Sequence, residues 1–167
     1  MLLREDSDVV RSVSLTTRPI RSGEEEGEDY YFIPERSFIY KKKKGELLES
    51  ARVHGYYYGT PRRFVEKLLQ QGKDVLLTID VQGALQVRKK YIESILIFIL
   101  PPSMRQLRER LLKRGREGRH EIEGRIEAAR RELKQVKRYD YLVINDRLKK
   151  ALCQLKAILV AERCSIQ

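Results

Sequence analysis

The sequence predicts an α/β fold, a parallel sheet flanked by helices, and three observations predict it. Two runs, Val75–Asp80 (VLLTID) and Ile95–Leu100 (ILIFIL), are apolar on both faces, as strands buried inside a parallel sheet are. Stripes of helical period stand between and after them. Turn formers such as Gly72 and Pro101-Pro102 separate strand from helix, and neither a repeat nor a linker interrupts the order.

In chain order, Val9 to Leu15 is a β-leaning run that ends in an arginine-bearing loop. Pro34 to Lys44 reads as a helix with Phe38 and Ile39 inward, closed by four lysines and Gly45. Leu47 to Val53 follows as a strand carrying Glu49, then Gly55 to Gly59 as a tyrosine-rich turn. Thr60-Pro61 supplies an N-cap and a first-turn proline to a helix striped by Phe64, Val65, Leu68 and Leu69. Asp80 stands at the carboxyl end of its strand, where open α/β sheets bind ligands, and a helix spans about Gln82 to Lys90. Ser103 with Gln106 opens another helix through Leu107 and Leu111. Arg110 to Arg125, charge-dense, poor in apolar anchors and hinged by Gly115, Gly118 and Gly124, reads as a mobile lid. Ile126, Ala129, Leu133 and Val136 recur at helical spacing, Tyr141 to Ile144 is a short strand, and Leu148 to Leu159 stripe a closing helix. A smaller antiparallel insertion is expected near Tyr30 to Tyr58.

A length of 167 residues fits one domain with a sizeable core. Lys and Arg number 35 against 24 Asp and Glu, a net charge of +11 that favours acidic partners: nucleotides, nucleic acid or an anionic membrane surface. No apolar run approaches the length of a membrane span, and Met1-Leu2-Leu3 runs at once into charge, without the pattern of a signal peptide. Cys153 and Cys164, with only His54 and His120 beside them in composition, suggest neither a metal site nor a disulfide framework, so a reducing cytoplasm is the expected location.

The chemistry concentrates between Val13 and Phe32. Ser14, Thr16 and Thr17 offer hydroxyls, Arg18 and Arg21 offer guanidinium forks that match phosphate or carboxylate oxygens in pairs, and Tyr30 and Tyr31 add phenols. Pro19 constrains the backbone between the arginines, and Gly23 and Gly27 bracket an acidic turn. A surface hairpin with merely solvated charges accounts for the same residues.

The run SxTTRPxRxGExxGxDYxF, then LLE at Leu47–Glu49, YYGTP at Tyr57–Pro61, IDVQGA at Ile79–Ala84, FILPPS at Phe98–Ser103 and IND at Ile144–Asp146 resembles guanylate kinase in order and spacing, from about Val9 to Arg163. The resemblance implies a P-loop NTPase-like fold with a small mixed GMP-binding insertion and a helical lid. It implies one domain, with core 1–29, 61–109 and 126–167, GMP-binding region 30–60 and lid 110–125. The implied reaction is ATP plus GMP giving ADP plus GDP in purine metabolism, with Mg2+ held through the nucleotide phosphates and no metal-ligating side chain. By the same resemblance Arg18, Arg21, Tyr30 and Tyr58 hold the GMP phosphate, and Ser14, Glu49, Thr60 and Asp80 read the guanine edge. Arg110, Arg114 and Arg125 are the lid and hinge arginines that act in catalysis with Arg18. Arg110, Arg114 and Asn145 lie toward ATP. Guanine presents N1 and N2 hydrogens side by side, which one carboxylate can accept, whereas adenine turns a ring nitrogen lone pair toward it. The resemblance thus implies that purine choice rests mainly on Glu49. Singly, Glu49 also suits a solvated strand, Thr60 an N-cap, Asp80 the first turn of a helix and Asn145 a strand-end turn.

The sequence departs from the family at three points. No GxxxxGK[ST] phosphate loop occurs in it, Thr78 stands where an acid near metal and phosphates is usual, and Arg147 follows Asp146 where a second acid is common. In family register Met1 to Arg4 fall at the end of the first helix, so about twenty residues with the first strand and phosphate loop are expected to be missing. Turnover by the chain as given is then impaired or absent. A catalytically dead guanylate-kinase-like binding module is the alternative, and a basic nucleic-acid-binding domain a second. The expected partners are GMP and ATP, without nucleic acid or membrane, in a monomer or weak homodimer.

Overall fold

The computed structural model describes residues 3, 6–115 and 118–166, which form two compact units, residues 1–94 and 95–167. In the first unit, β1 (Val9–Arg11) pairs in parallel with β6 (Asp74–Leu76), and Ser12 N–H extends the ladder to the Leu76 carbonyl at 3.1 Å. The run Val9–Leu15 thus serves two sheets. Beyond Ser12 the chain joins a four-stranded mixed sheet of order β3-β2-β5-β4, built from β2 (Leu15–Thr16), β3 (Tyr31–Phe32), β4 (Leu47–Val53) and β5 (Tyr56–Pro61).

Tyr56 to Pro61, expected largely as a turn, is a strand. The turn is only His54-Gly55, with φ of 49° and 88°, the pair of positive dihedrals that lets a two-residue hairpin follow the twist of its strands. Tyrosines suit that strand because their rings pack across the sheet. Tyr57 stacks on Phe38 of α1 (Glu35–Lys43) at 5.3 Å between centroids, and Phe38, Leu15 and Leu47 form a buried cluster. Gly59 sits beneath them, where an added Cβ would lie 3.0 Å from the Glu49 carbonyl oxygen and 3.1 Å from the Phe38 ring. Phe38 is fully buried. Phe38→Ala is expected to cost about 3–5 kcal/mol of stability, measured by denaturant unfolding.

Helices α2 (Arg62–Gln70) and α3 (Val81–Lys90) share a second cluster with the strands, in which Leu48, Val65 and Val87 are buried against Val75, Leu77, Ile79 and Tyr91. Pro61 precedes the first helical residue of α2 without a side-chain cap, so Thr60 is a strand residue and not the N-cap expected. Asp80 does cap α3, its Oδ1 accepting from Gly83 N–H at 2.9 Å.

In the second unit, β7 (Ile97–Leu100) pairs in parallel with β8 (Tyr141–Ile144); with β1–β6 and the short β2–β3 pairing of the first unit, three parallel strand pairings occur among the described residues, each inside one unit. Alternation buries Phe98 and Val143 and exposes Ile99, Leu142 and Ile144. Helix α4 (Met104–Arg114) begins at Ser103, whose hydroxyl accepts from Gln106 N–H, and stops at Gly115 in the left-handed region, φ 63°. Helices α5 (Arg119–Leu133) and α6 (Leu148–Arg163) follow. Two of the expected hinges are structural: Gly118 is the N-cap of α5, and Gly124 lies inside it. Apolar anchors are also present, since Leu111 packs on Ile122 and Ile126 with Met104 and Leu107 beside them, and Arg108 and Glu123 make a bidentate pair. Leu111 and Ile122 are neighbours only across a helical hairpin, a contact that periodicity along either helix leaves invisible. Among the described residues no helix is long and apolar enough to cross a membrane.

Candidate nucleotide site

Two polar clusters, both in the first unit, hang on strand β5. Tyr58 and Thr60 are two residues apart on it and so face the same side.

The first cluster is built round Arg18, which is 6% exposed. Its Nη1 and Nη2 donate to the two Glu24 carboxylate oxygens at 3.0 and 2.8 Å, Nη1 also to the Pro19 carbonyl at 2.8 Å, and Nε to the Tyr58 hydroxyl at 3.2 Å. The guanidinium lies 5.5 Å from the Tyr30 ring centroid, and Tyr30 meets Tyr58 edge to face at 5.7 Å. Burial opposes the Arg18 charge, yet the bonds to Glu24 and Tyr58 outweigh it and hold its pKa above the ordinary value. The Arg18 hydrogen bond in turn holds the Glu24 carboxyl below the ordinary carboxylate range. Glu24 also accepts from Arg21 N–H at 2.9 Å, which folds the loop back under the arginines. Sequence reasoning missed Glu24. Residue type and spacing do not mark the pair: Glu24 stands six residues after Arg18, past Pro19 and Gly23, and the folded loop returns it to the guanidinium.

Thr16 and Thr17, grouped with the anion-binding hydroxyls, are spent on the sheet. Thr16 Oγ1 donates to the Tyr57 carbonyl at 3.1 Å and accepts from Arg18 N–H, while Thr17 Oγ1 accepts from Tyr57 N–H at 3.0 Å. Ser14 is half-buried in the link between β1 and β2, where its carbonyl accepts from Tyr31 N–H.

The second cluster is a buried carboxylate. Glu49, 4% exposed, accepts from the Thr60 hydroxyl at 2.7 Å through Oε1. Burial pushes its pKa up, the Thr60 hydrogen bond pulls it down, and the charge of Asp80 pushes it up again, with a net rise. A carboxylate kept desolvated with lone pairs to spare is an acceptor for paired N–H donors. The alternative of a solvated strand residue fails at Glu49.

In the second unit, Arg110 Nη2 donates to the Asn145 carbonyl at 2.8 Å, which joins two of the residues placed toward ATP. Arg125 is half-buried on α5. The Arg114 side chain lies outside the described residues.

The guanylate kinase family model matches residues 1–162. The chain belongs to the guanylate kinase family. Its sequence is 48% identical to the guanylate kinase of Thermotoga maritima over 165 residues, 99% of this chain and 80% of the relative. It is 46% identical to that of Caldanaerobacter subterraneus subsp. tengcongensis, again over 99% of this chain and 80% of the relative. The structure resembles the crystal structure of guanylate kinase from Anaplasma phagocytophilum, with a TM-score of 0.84 and 36% identity over 98% of this chain and 79% of that one. The family is one of nucleotide-dependent phosphotransferases, and the mixed α/β architecture with parallel strands agrees with a P-loop NTPase-like fold.

Proposed function

We propose that the first unit binds GMP and that the chain's part in the family reaction is to present the GMP phosphate to ATP. The observation that carries this reading is the buried Glu49–Thr60 pair on the same face of β5 as Tyr58, which leads to Arg18. Glu49 accepts guanine N1–H and N2–H, with Thr60 and Asp80 beside it, and Ser14 reads the base edge with them. Arg18, Arg21, Tyr30 and Tyr58 hold the phosphate dianion, two guanidinium groups offsetting its charge. A GMP phosphate oxygen then attacks the γ-phosphorus of ATP, the bond to the β-phosphate oxygen breaks, and GDP and ADP result. Arg110, Arg114 and Arg125 offset charge on the transferring group, and Asn145 stands toward the adenine. Both units are taken as parts of one family domain because the family match spans them.

Mg2+ is placed with the nucleotide, where it neutralises phosphate charge. The described residues contain no group of three or more His, Cys, Asp or Glu fit to hold a metal ion, and Thr78 offers a neutral hydroxyl.

GMP alone is expected to shift the amide resonances of Arg18, Glu49, Tyr58 and Thr60, and their indifference to saturating GMP in folded chain contradicts the reading. Turnover is a separate matter, since the 167 residues contain no GxxxxGK[ST] loop to hold the donor in line. A polypeptide of these residues alone is expected to release ADP far more slowly than about 10 per second, the scale of an ordinary enzyme. A coupled ADP-release assay checks this.

A further inference from the structure

Strand β4 is irregular where it carries Glu49. Leu47 pairs with Pro61 and Ser50 with Gly59, so three steps on β4 answer two on β5 and a bulge falls at Leu48–Glu49. A bulge re-aims side chains, and it has to be held if the aim is to be kept. Helix α3 holds it from the open edge of the sheet. Gln86 meets Ser50 twice, its Oε1 accepting from Ser50 N–H at 3.2 Å and its Nε2 donating to the Ser50 carbonyl at 2.9 Å. Lys90, one turn on, donates to the Leu48 carbonyl. Glu49 is thereby clamped on both sides through its neighbours' backbone.

Gly83 lies one turn before Gln86 on the same face of α3. A Cβ there would stand 2.5 Å from Glu49 Oε2, 3.0 Å from its Cδ and 3.3 Å from Asp80 Oδ1. Its φ is not in the left-handed region, so the backbone does not require glycine. Glycine also weakens a helix relative to alanine. What its absent side chain supplies is the space in which the Glu49 carboxylate sits.

We infer that Gly83 and Gln86 are positioning residues for purine choice: Gly83 leaves the room, and Gln86 the anchorage, that keep the Glu49 carboxylate aimed at the base. This rests on the reading of Glu49 as the guanine acceptor. Neither residue needs to touch nucleotide, and their effect passes through Glu49.

The test is calorimetric titration of GMP and of AMP into the folded chain, its Gly83→Ala and Gln86→Met variants, and the double variant Gly83→Ala with Glu49→Asp. Alanine improves helix propensity, so loss of binding in a folded Gly83→Ala chain is not loss of the helix. The expected result is GMP affinity lower by about tenfold or more in Gly83→Ala with AMP affinity little changed, the loss of a charge-assisted hydrogen bond. The shorter carboxylate of the double variant recovers part of it, and Gln86→Met loses preference in the same direction. A GMP-to-AMP ratio unchanged in Gly83→Ala overturns the inference. If Gly83→Ala does not fold, an unchanged ratio in Gln86→Met does so. If the parent chain itself binds no GMP, the reading of the site fails separately. The positioning role is then decided without ligand by the Glu49 carboxyl carbon resonance, which moves in both single variants if they displace Glu49 and stays fixed if they do not.

Discussion

Glu49→Gln is expected to weaken GMP binding by about a hundredfold while leaving AMP binding nearly unchanged, because two hydrogen bonds to a charged acceptor are worth about 1.5–3 kcal/mol each. The glutamine amide accepts one guanine N–H and turns its own donors toward the other. Stability should not fall with it, since the substitution removes a carboxylate whose burial opposes its charge. The pH dependence separates the two effects. Between the ordinary carboxylate pKa and the raised one, the folded chain holds a Glu49 proton that the unfolded chain has released, so stability from this group falls as pH rises across that window. GMP affinity, which requires the carboxylate, rises across the same window. In Glu49→Gln both slopes should vanish. Calorimetry and thermal unfolding over the same pH series measure them.

Arg18→Ala is expected to lose GMP binding and about 3–5 kcal/mol of stability together, because it strands the Glu24 carboxylate at 12% exposure without its partner. The double variant with Glu24→Ala should regain most of the stability and none of the GMP affinity. On the proposed reading Arg18 is a phosphate ligand as well as the loop staple seen in the structure, and the cycle divides the two roles. The Glu24 contribution is present in full above the ordinary carboxylate pKa and is lost as pH falls through the lowered one. Arg18→Ala should therefore become less costly in acid.

The strands that carry the site were legible where one pattern served one sheet. Leu47–Val53 and Tyr141–Ile144 stand within their predicted bounds, and Val81–Lys90 begins one residue before its predicted start. Val9–Leu15 misled because a continuous β-leaning run says nothing of where a strand leaves one sheet for another. Tyr56–Pro61 misled because its glycine and proline carry turn signals, while packing against Phe38 decided for a strand. At the site, guanidinium forks and the strand carboxylate could be named from residue type and register. What the sequence did not carry is which polar groups satisfy one another: Glu24 on Arg18, Thr16 and Thr17 on Tyr57, Gln86 on Ser50. Those pairings arise from three-dimensional approach across 6 to 41 residues of chain, and no periodicity encodes them.

The most direct measurement of the central claim, that the buried Glu49 carboxylate reads N1–H and N2–H of a purine, is a calorimetric series with three monophosphates on the same folded chain. Guanosine monophosphate offers both hydrogens, inosine monophosphate only N1–H, and adenosine monophosphate a lone pair in its place. The account predicts affinities in that order, with steps of about tenfold or more between neighbours. Equal affinity for the three, or tighter binding of the adenosine nucleotide, contradicts it.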